Sequence, residues 1–147
     1  MQSHSLPSIA LMVILFFTVI AVVLFLLKVQ DVLKRCAPAS RTMMPGKVWL
    51  WLIPLFGLGW QFFVVTNIAT SLRNEFARVG TPCPEPAPGQ TIGLAFCVCN
   101  CCIFIPLLGG IAGLAGLVLW IIYWVRLGNY SRLLENHQRM IAEPPIA

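Results

Sequence analysis

Three stretches of this sequence, residues 9–27, 48–72 and 91–125, contain no Asp, Glu, Lys, Arg or His. Such runs limit the fold more than any motif does, because only a dry core or a lipid phase covers them. The 147 residues amount to one domain. A soluble domain with three such runs would need a wetted surface around them. Charged residues are 10% of the chain, against roughly a quarter in soluble proteins. With 59% hydrophobic residues and a mean hydropathy of +0.84, lipid is the solvent that fits. The chain reads as an all-α integral membrane protein, a single membrane domain over residues 1–147.

A helix needs about 20 apolar residues to cross a hydrocarbon layer of ~30 Å. Residues 9–27 satisfy this, with Thr18 as the only polar side chain. No Lys or Arg precedes the run and no A-x-A site directly follows it, so an uncleaved anchor is expected rather than a signal peptide. Val29, Val32, Leu33 and Cys36 then recur at helical spacing opposite Lys28, Asp31, Lys34 and Arg35, until Pro38. A second span is expected at 48–72, opened by Trp49 and Trp51 and kinked near Pro54, Gly57 and Gly59. Residues 80–90 hold four prolines and read as a loop.

The 35 residues of 91–125 would measure about 52 Å as one helix, too long for the layer at ordinary tilt. Pro106, Gly109 and Gly110 lie near the centre, so the run is expected to fold back as spans 91–105 and 107–125. The outcome is four transmembrane helices, the last two a tight hairpin, plus an amphipathic C-terminal helix over 126–142. That last helix carries Leu127, Tyr130, Leu133, Leu134 and Ile141 on one side and pairs Glu135 with Arg139. The alternative is three spans. Three spans divide the ten Lys/Arg eight against two, whereas four divide them evenly and leave the positive-inside rule silent. Residues 52–57 (LIPLFG) also echo 104–109 (FIPLLG) at an offset of 52.

The formal charge of +5 sits at the ends of apolar runs, on Lys28, Lys34, Arg35, Arg41 and Lys47, which suits lipid headgroups and excludes nucleic acid as a partner. Cys97, Cys99, Cys101 and Cys102 are the candidate metal or redox ligands, although no second C-x-x-C completes a zinc pattern. Small apolar packing is the simpler role for them. Cys36, after Lys34 and Arg35, is expected to be the most reactive thiol. No catalytic set, cofactor or haem site is indicated, since His4 and His137 lie outside every span. Without an ionisable group in the spans, a proton or ion relay is disfavoured. Gln61, Thr66, Asn67, Thr70 and Asn100 are expected to hydrogen-bond between helices. Gly109, Ala112, Gly113 and Gly116 form a small-residue stripe for helix packing or contact with a partner.

The segment R-T-M-M-P-G-K-V-W-L from Arg41, running into L-I-P-L-F, resembles a motif of small uncharacterised multi-pass proteins of bacterial inner membranes. So does W-I-I-Y-W-V from Trp120, followed by Tyr130 and Ser131. Gly57 departs from that pattern, which carries Asn there. The resemblance implies a bacterial cytoplasmic membrane protein and brings no activity. A non-catalytic accessory or structural subunit of a larger membrane complex is the expected role, with the lipid bilayer and other membrane subunits as partners. The alternatives are a metal- or redox-active protein using Cys97 to Cys102, and a passive carrier of lipid or small molecules with a cavity near Gln61 and Asn100.

Overall fold

A computed structural model describes residues 5–53 and 56–142. They form α1 (Ser5–Arg35), a 3-10 segment (Pro45–Leu52), α2 (Phe56–Val79), α3 (Gln90–Cys102) and α4 (Gly109–Ala142), with no strand among them. Two helices, over Ser8–Arg35 and Gly109–Ile141, are long and apolar enough to cross a membrane. At 1.5 Å per residue, the 31 residues of α1 and the 34 of α4 reach about 46 and 51 Å.

The four expected spans do not form. The run at 48–72 is broken, because a residue before proline is pushed out of the helical region. Ile53, which precedes Pro54, is extended at φ −76° and ψ 117°, and it ends the 3-10 segment. Pro54 itself, invoked for a kink, lies outside the described residues. The third run gives α3, whose 13 residues reach only about 20 Å. The fourth run and the expected C-terminal helix at 126–142 are one element, α4, since no proline separates them.

Cross-contacts fix how these elements run. Gln61 of α2 meets Cys97 of α3 while Val65 meets Gly93, so α2 and α3 are antiparallel. Gly116 of α4 faces Cys99, Tyr123 faces Gly93 and Tyr130 faces Gly89, so α4 reverses again. α1 lies parallel to α4, with Phe25 against Trp120 and Trp124 and Arg35 against Glu135. The chain is thus one long helix followed by two hairpins, both rooted where α1 ends. Ala37 meets Glu75 there, Thr42 meets Ser71, Glu85 meets Arg126 and Gln138 meets Glu75.

The first and last residues of the repeated I-P-L-x-G sequence, Ile53 with Gly57 and Ile105 with Gly109, meet at the tip of each hairpin. The Gly57 N–H donates to the Ile53 carbonyl at 2.7 Å and the Gly109 N–H to the Ile105 carbonyl at 2.9 Å. Each glycine is also pressed on the carbonyl six residues back, that of Trp51 or Ile103. At the second tip the N–H groups of Ile103, Phe104, Ile105 and Leu108 bond carbonyls three or four residues back as well. A turn closed on itself in this way leaves its apolar side chains free to face outward, and Leu107 is 90% exposed.

The packed core sits at the rooted end. Val29, Val32, Leu33 and Cys36 are buried as their spacing predicts, against Ile68, Leu72 and Phe76 of α2 and Leu127 and Leu134 of α4. Trp49 and Trp51 face inward rather than forming a belt: Trp49 donates to Gln30 and Trp51 packs edge-on to Phe25. The outer half of α1, residues 8–20, is exposed throughout.

A Cβ at Gly109 would lie 2.8 Å from the Ile103 carbonyl oxygen, and one at Gly57 would overlap the Trp51 carbonyl. Gly57→Ala and Gly109→Ala should each lower stability by about 1–3 kcal/mol, since backbone must move to admit the methyl group. Gly110→Ala meets nothing within 4 Å and should gain up to about 1 kcal/mol of helix propensity. Unfolding of the three variants in one detergent, followed by circular dichroism, checks the contrast.

Candidate functional site

The four clustered cysteines are distributed over α3 rather than gathered. Cys97 is buried towards α2, where Gln61 Nε2 donates to its carbonyl, and Cys101 is exposed. Cys99 faces Gly116 of α4. All six cysteines of the chain are free thiols, and among the described residues no three His, Cys, Asp or Glu side chains converge on a common point.

Cys36 does not have the character its sequence neighbours suggest. Lys34 and Arg35 point elsewhere on the helix, and the thiol is buried. Burial, reinforced by the nearby Glu75 carboxylate, pushes it up to about 11 against the smaller opposing effect of Arg41 and Arg78. At neutral pH it is a protonated, packed thiol.

Only one pair of the expected polar groups bridges helices. Gln61, fully buried on α2, accepts from Asn100 Nδ2 of α3 at 2.9 Å while donating to Cys97. The side chains of Thr66, Asn67 and Thr70 instead bond carbonyls four residues back on α2, and the one contact across is made by the Asn67 carbonyl, which accepts from the Thr42 hydroxyl at 3.0 Å. Asn100 also lines a recess, a cleft of about 640 Å³ between α1 and the α3–α4 hairpin. Its walls are almost wholly apolar, among them Val13, Phe17, Phe25, Phe96 and Trp120. The small-residue stripe divides around it. Gly109 closes the turn, Ala112 is buried and Gly116 contacts Cys99, whereas a side chain at Gly113 would enter open space in the cleft.

The feature that sequence reasoning missed is Glu75. Its side chain is 0% exposed, yet it accepts from Arg78 twice, at 2.6 and 3.2 Å, and from the Ala37 N–H at 2.9 Å. Gln138 of α4 reaches the same carboxylate at 3.5 Å. Burial acts to raise this carboxyl, but Arg78, the Ala37 N–H and the Ser40 hydroxyl outweigh it and hold it below its ordinary range. The only hint in the sequence is the i, i+3 spacing of Glu75 and Arg78, which does not tell a buried pair from a solvated one. Arg41 completes the arrangement by donating to the Cys36 and Lys34 carbonyls, which α1 leaves open at its C-terminus. The expected pair Glu135–Arg139 forms at 2.6 Å, and Arg35 joins it from α1 at 2.5 Å.

Glu75→Ala leaves a buried N–H and an arginine without their acceptor and should cost about 2 kcal/mol or more. Because the folded carboxyl titrates below the unfolded one, its contribution is complete at neutral pH. It is lost as pH falls from the ordinary carboxylate range through the lowered folded value. Melting curves of the wild-type chain and Glu75→Gln from pH 7 to 3 should therefore converge on acidification. A gap that stays constant with pH would show that the charge is not what stabilises.

No protein-family model matches the chain, and comparison with curated proteins and with solved structures finds no similar protein.

Proposed function

We propose that the chain is a non-catalytic, multi-pass protein of a bacterial cytoplasmic membrane, acting as an accessory subunit through helix contacts. One observation carries the membrane part. Among the described residues every Asp, Glu, Lys and Arg except Lys47 stands at the rooted end, on the inner half of α1, the two hairpin roots or the last turns of α4, and Lys47 lies early in the 3-10 segment, where its carbonyl accepts from Trp60. The opposite end holds the outer half of α1 and the apolar tip at 103–108. All ten Lys/Arg then fall on one side, a division sharper than the eight against two that favoured three spans. By the positive-inside rule that side is cytoplasmic.

In this reading α1 and α4 cross the layer, α3 carries the chain to the tip from which α4 starts, and the 3-10 segment with α2 dips in and returns. The short α3 reaches its limit at a turn whose N–H groups are already bonded, so the tip needs no water. The subunit role is supported by broad apolar faces that the fold itself does not cover. Leu11, Met12 and Phe16 on α1 and Ile111, Leu114 and Val118 on α4 are all more than half exposed. There is little mass outside the helices for an active site.

Three thiols test the topology. Native Cys83 at the hairpin root and a cysteine at Met140 should react with an impermeant maleimide from the cytoplasmic side only. A cysteine at Ser8 should react from the other side only. Agreement of all three on one side would restore an even number of spans. Mild solubilisation tests the subunit role, where migration as a lone 16.3 kDa species would remove it.

A further inference from the structure

Resting on that membrane placement, we propose that the cleft between the outer half of α1 and the α3–α4 hairpin is a binding site for one acyl chain of an anionic phospholipid, whose headgroup meets Lys28.

The shape of the cleft suits a chain. Its wall on α1 runs from Val13 to Leu26, about 20 Å at 1.5 Å per residue. Its volume of about 640 Å³ falls in the range of 300–1,000 Å³ typical of sites that enclose a ligand. The lining demands nothing polar from an occupant. The Thr18 hydroxyl already bonds the Ile14 carbonyl at 2.8 Å, and Asn100 Nδ2 is engaged with Gln61. Methylene groups fill such walls without leaving a donor or acceptor unpaired.

The recess is also kept open by composition. Ala21 on α1 and Gly113 on α4 face it, and beyond its own stretch of helix no atom of the described residues comes within 4 Å of where a Gly113 Cβ would stand. A Cβ at Gly116 would lie 3.5 Å from Cys99, an ordinary packing contact. Gly113 makes no such contact, and the cleft stays open beside it.

Charge complementarity selects the headgroup. Ile14, Thr18, Ala21 and Phe25 line the cleft at helical spacing, and the next position on that face is Lys28, beside Gly128 at the charged end. The carboxylates of the described residues, Asp31, Glu75, Glu85 and Glu135, are each tied to an arginine. No lysine takes part in an ion pair among the described residues. Lys28 therefore meets the interface with its charge unspent, where an anionic lipid gains about 1 kcal/mol per cation.

Trp51 and Trp120 line the cleft and report on its contents. Delipidated protein in detergent, titrated with phosphatidylglycerol or phosphatidylcholine carrying brominated acyl chains, should show saturable quenching at about one lipid per chain. Phosphatidylglycerol should bind about fivefold more tightly, the equivalent of one lysine at the surface. Gly113→Phe, which fills the recess, should abolish the saturable phase, and Lys28→Gln should erase the headgroup preference while leaving chain binding. Unchanged quenching in a folded Gly113→Phe protein, or equal affinity of the wild type for both lipids, overturns the proposal. Ala21→Phe replaces Gly113→Phe if the latter fails to fold. A failure here with the maleimide pattern intact removes the lipid site alone. A failed maleimide pattern removes the membrane placement on which it stands.

Discussion

A carboxylate with no exposed surface holds the helix ends together. Glu75 collects an N–H from just beyond α1, a guanidinium from its own helix and an amide from α4. A charge taken out of water is tolerated only where its lone pairs are all engaged, so these groups can meet in few arrangements. Apolar packing alone would let three parallel helices slide by a turn or rotate at small cost. The Glu75 contacts do not permit that. With α1, α2 and α4 fixed at one end, the return segments and both hairpin tips have their positions set.

In the proposed membrane placement, the two ends of the molecule meet different solvents. At the charged end, Val29, Leu33, Leu72, Phe76 and Leu127 pack to near-complete burial, as in a small soluble bundle, because water drives apolar surface together there. Towards the other end the helices separate and residues 8–20 of α1 touch little. In hydrocarbon a leucine gains nothing by leaving lipid for protein, so tight contact there needs small residues or hydrogen bonds. The molecule has both, in Gly116 against Cys99 and in Gln61 with Asn100. The change from tight to loose packing follows the disappearance of charge along the helices.

Much of this was legible in the sequence, for stated physical reasons. Helical spacing picks out Val29, Val32, Leu33 and Cys36, which are buried, and the uncharged run at 9–27 and most of 107–125 lie in the two helices long and apolar enough to cross a membrane. Pro106 and Gly109 marked the second turn correctly, since a helix of 35 residues had no room. The first turn was hidden by continuity of hydropathy across 48–72, although the same I-P-L-x-G letters stood there. Proline was read as a kink when the extended Ile53 makes it a reversal. The carrier reading expects a cavity near Gln61 and Asn100; Asn100 lines the cleft, Gln61 is not among its walls, and the depth depends on where α1 passes α4. Glu75 and the inert Cys36 could not be read at all. Both depend on residues far along the chain, and local charge at Arg35 pointed the wrong way.

In the proposed membrane placement, the twin hairpin tips have a consequence for how the chain enters a bilayer. Each hairpin leads with an uncharged apolar turn and keeps its Arg at the root, the first also carrying Lys47 early in its 3-10 segment. Neither one has to drag an ionised group through hydrocarbon, a step costing about 2.5–3.5 kcal/mol per charge on insertion scales. Each can be pushed in from the side on which it was made and withdrawn by the same route. Insertion of the hairpins is therefore a local, reversible event. What makes it final is the closing of the roots around Glu75, after the second hairpin has delivered Gln138.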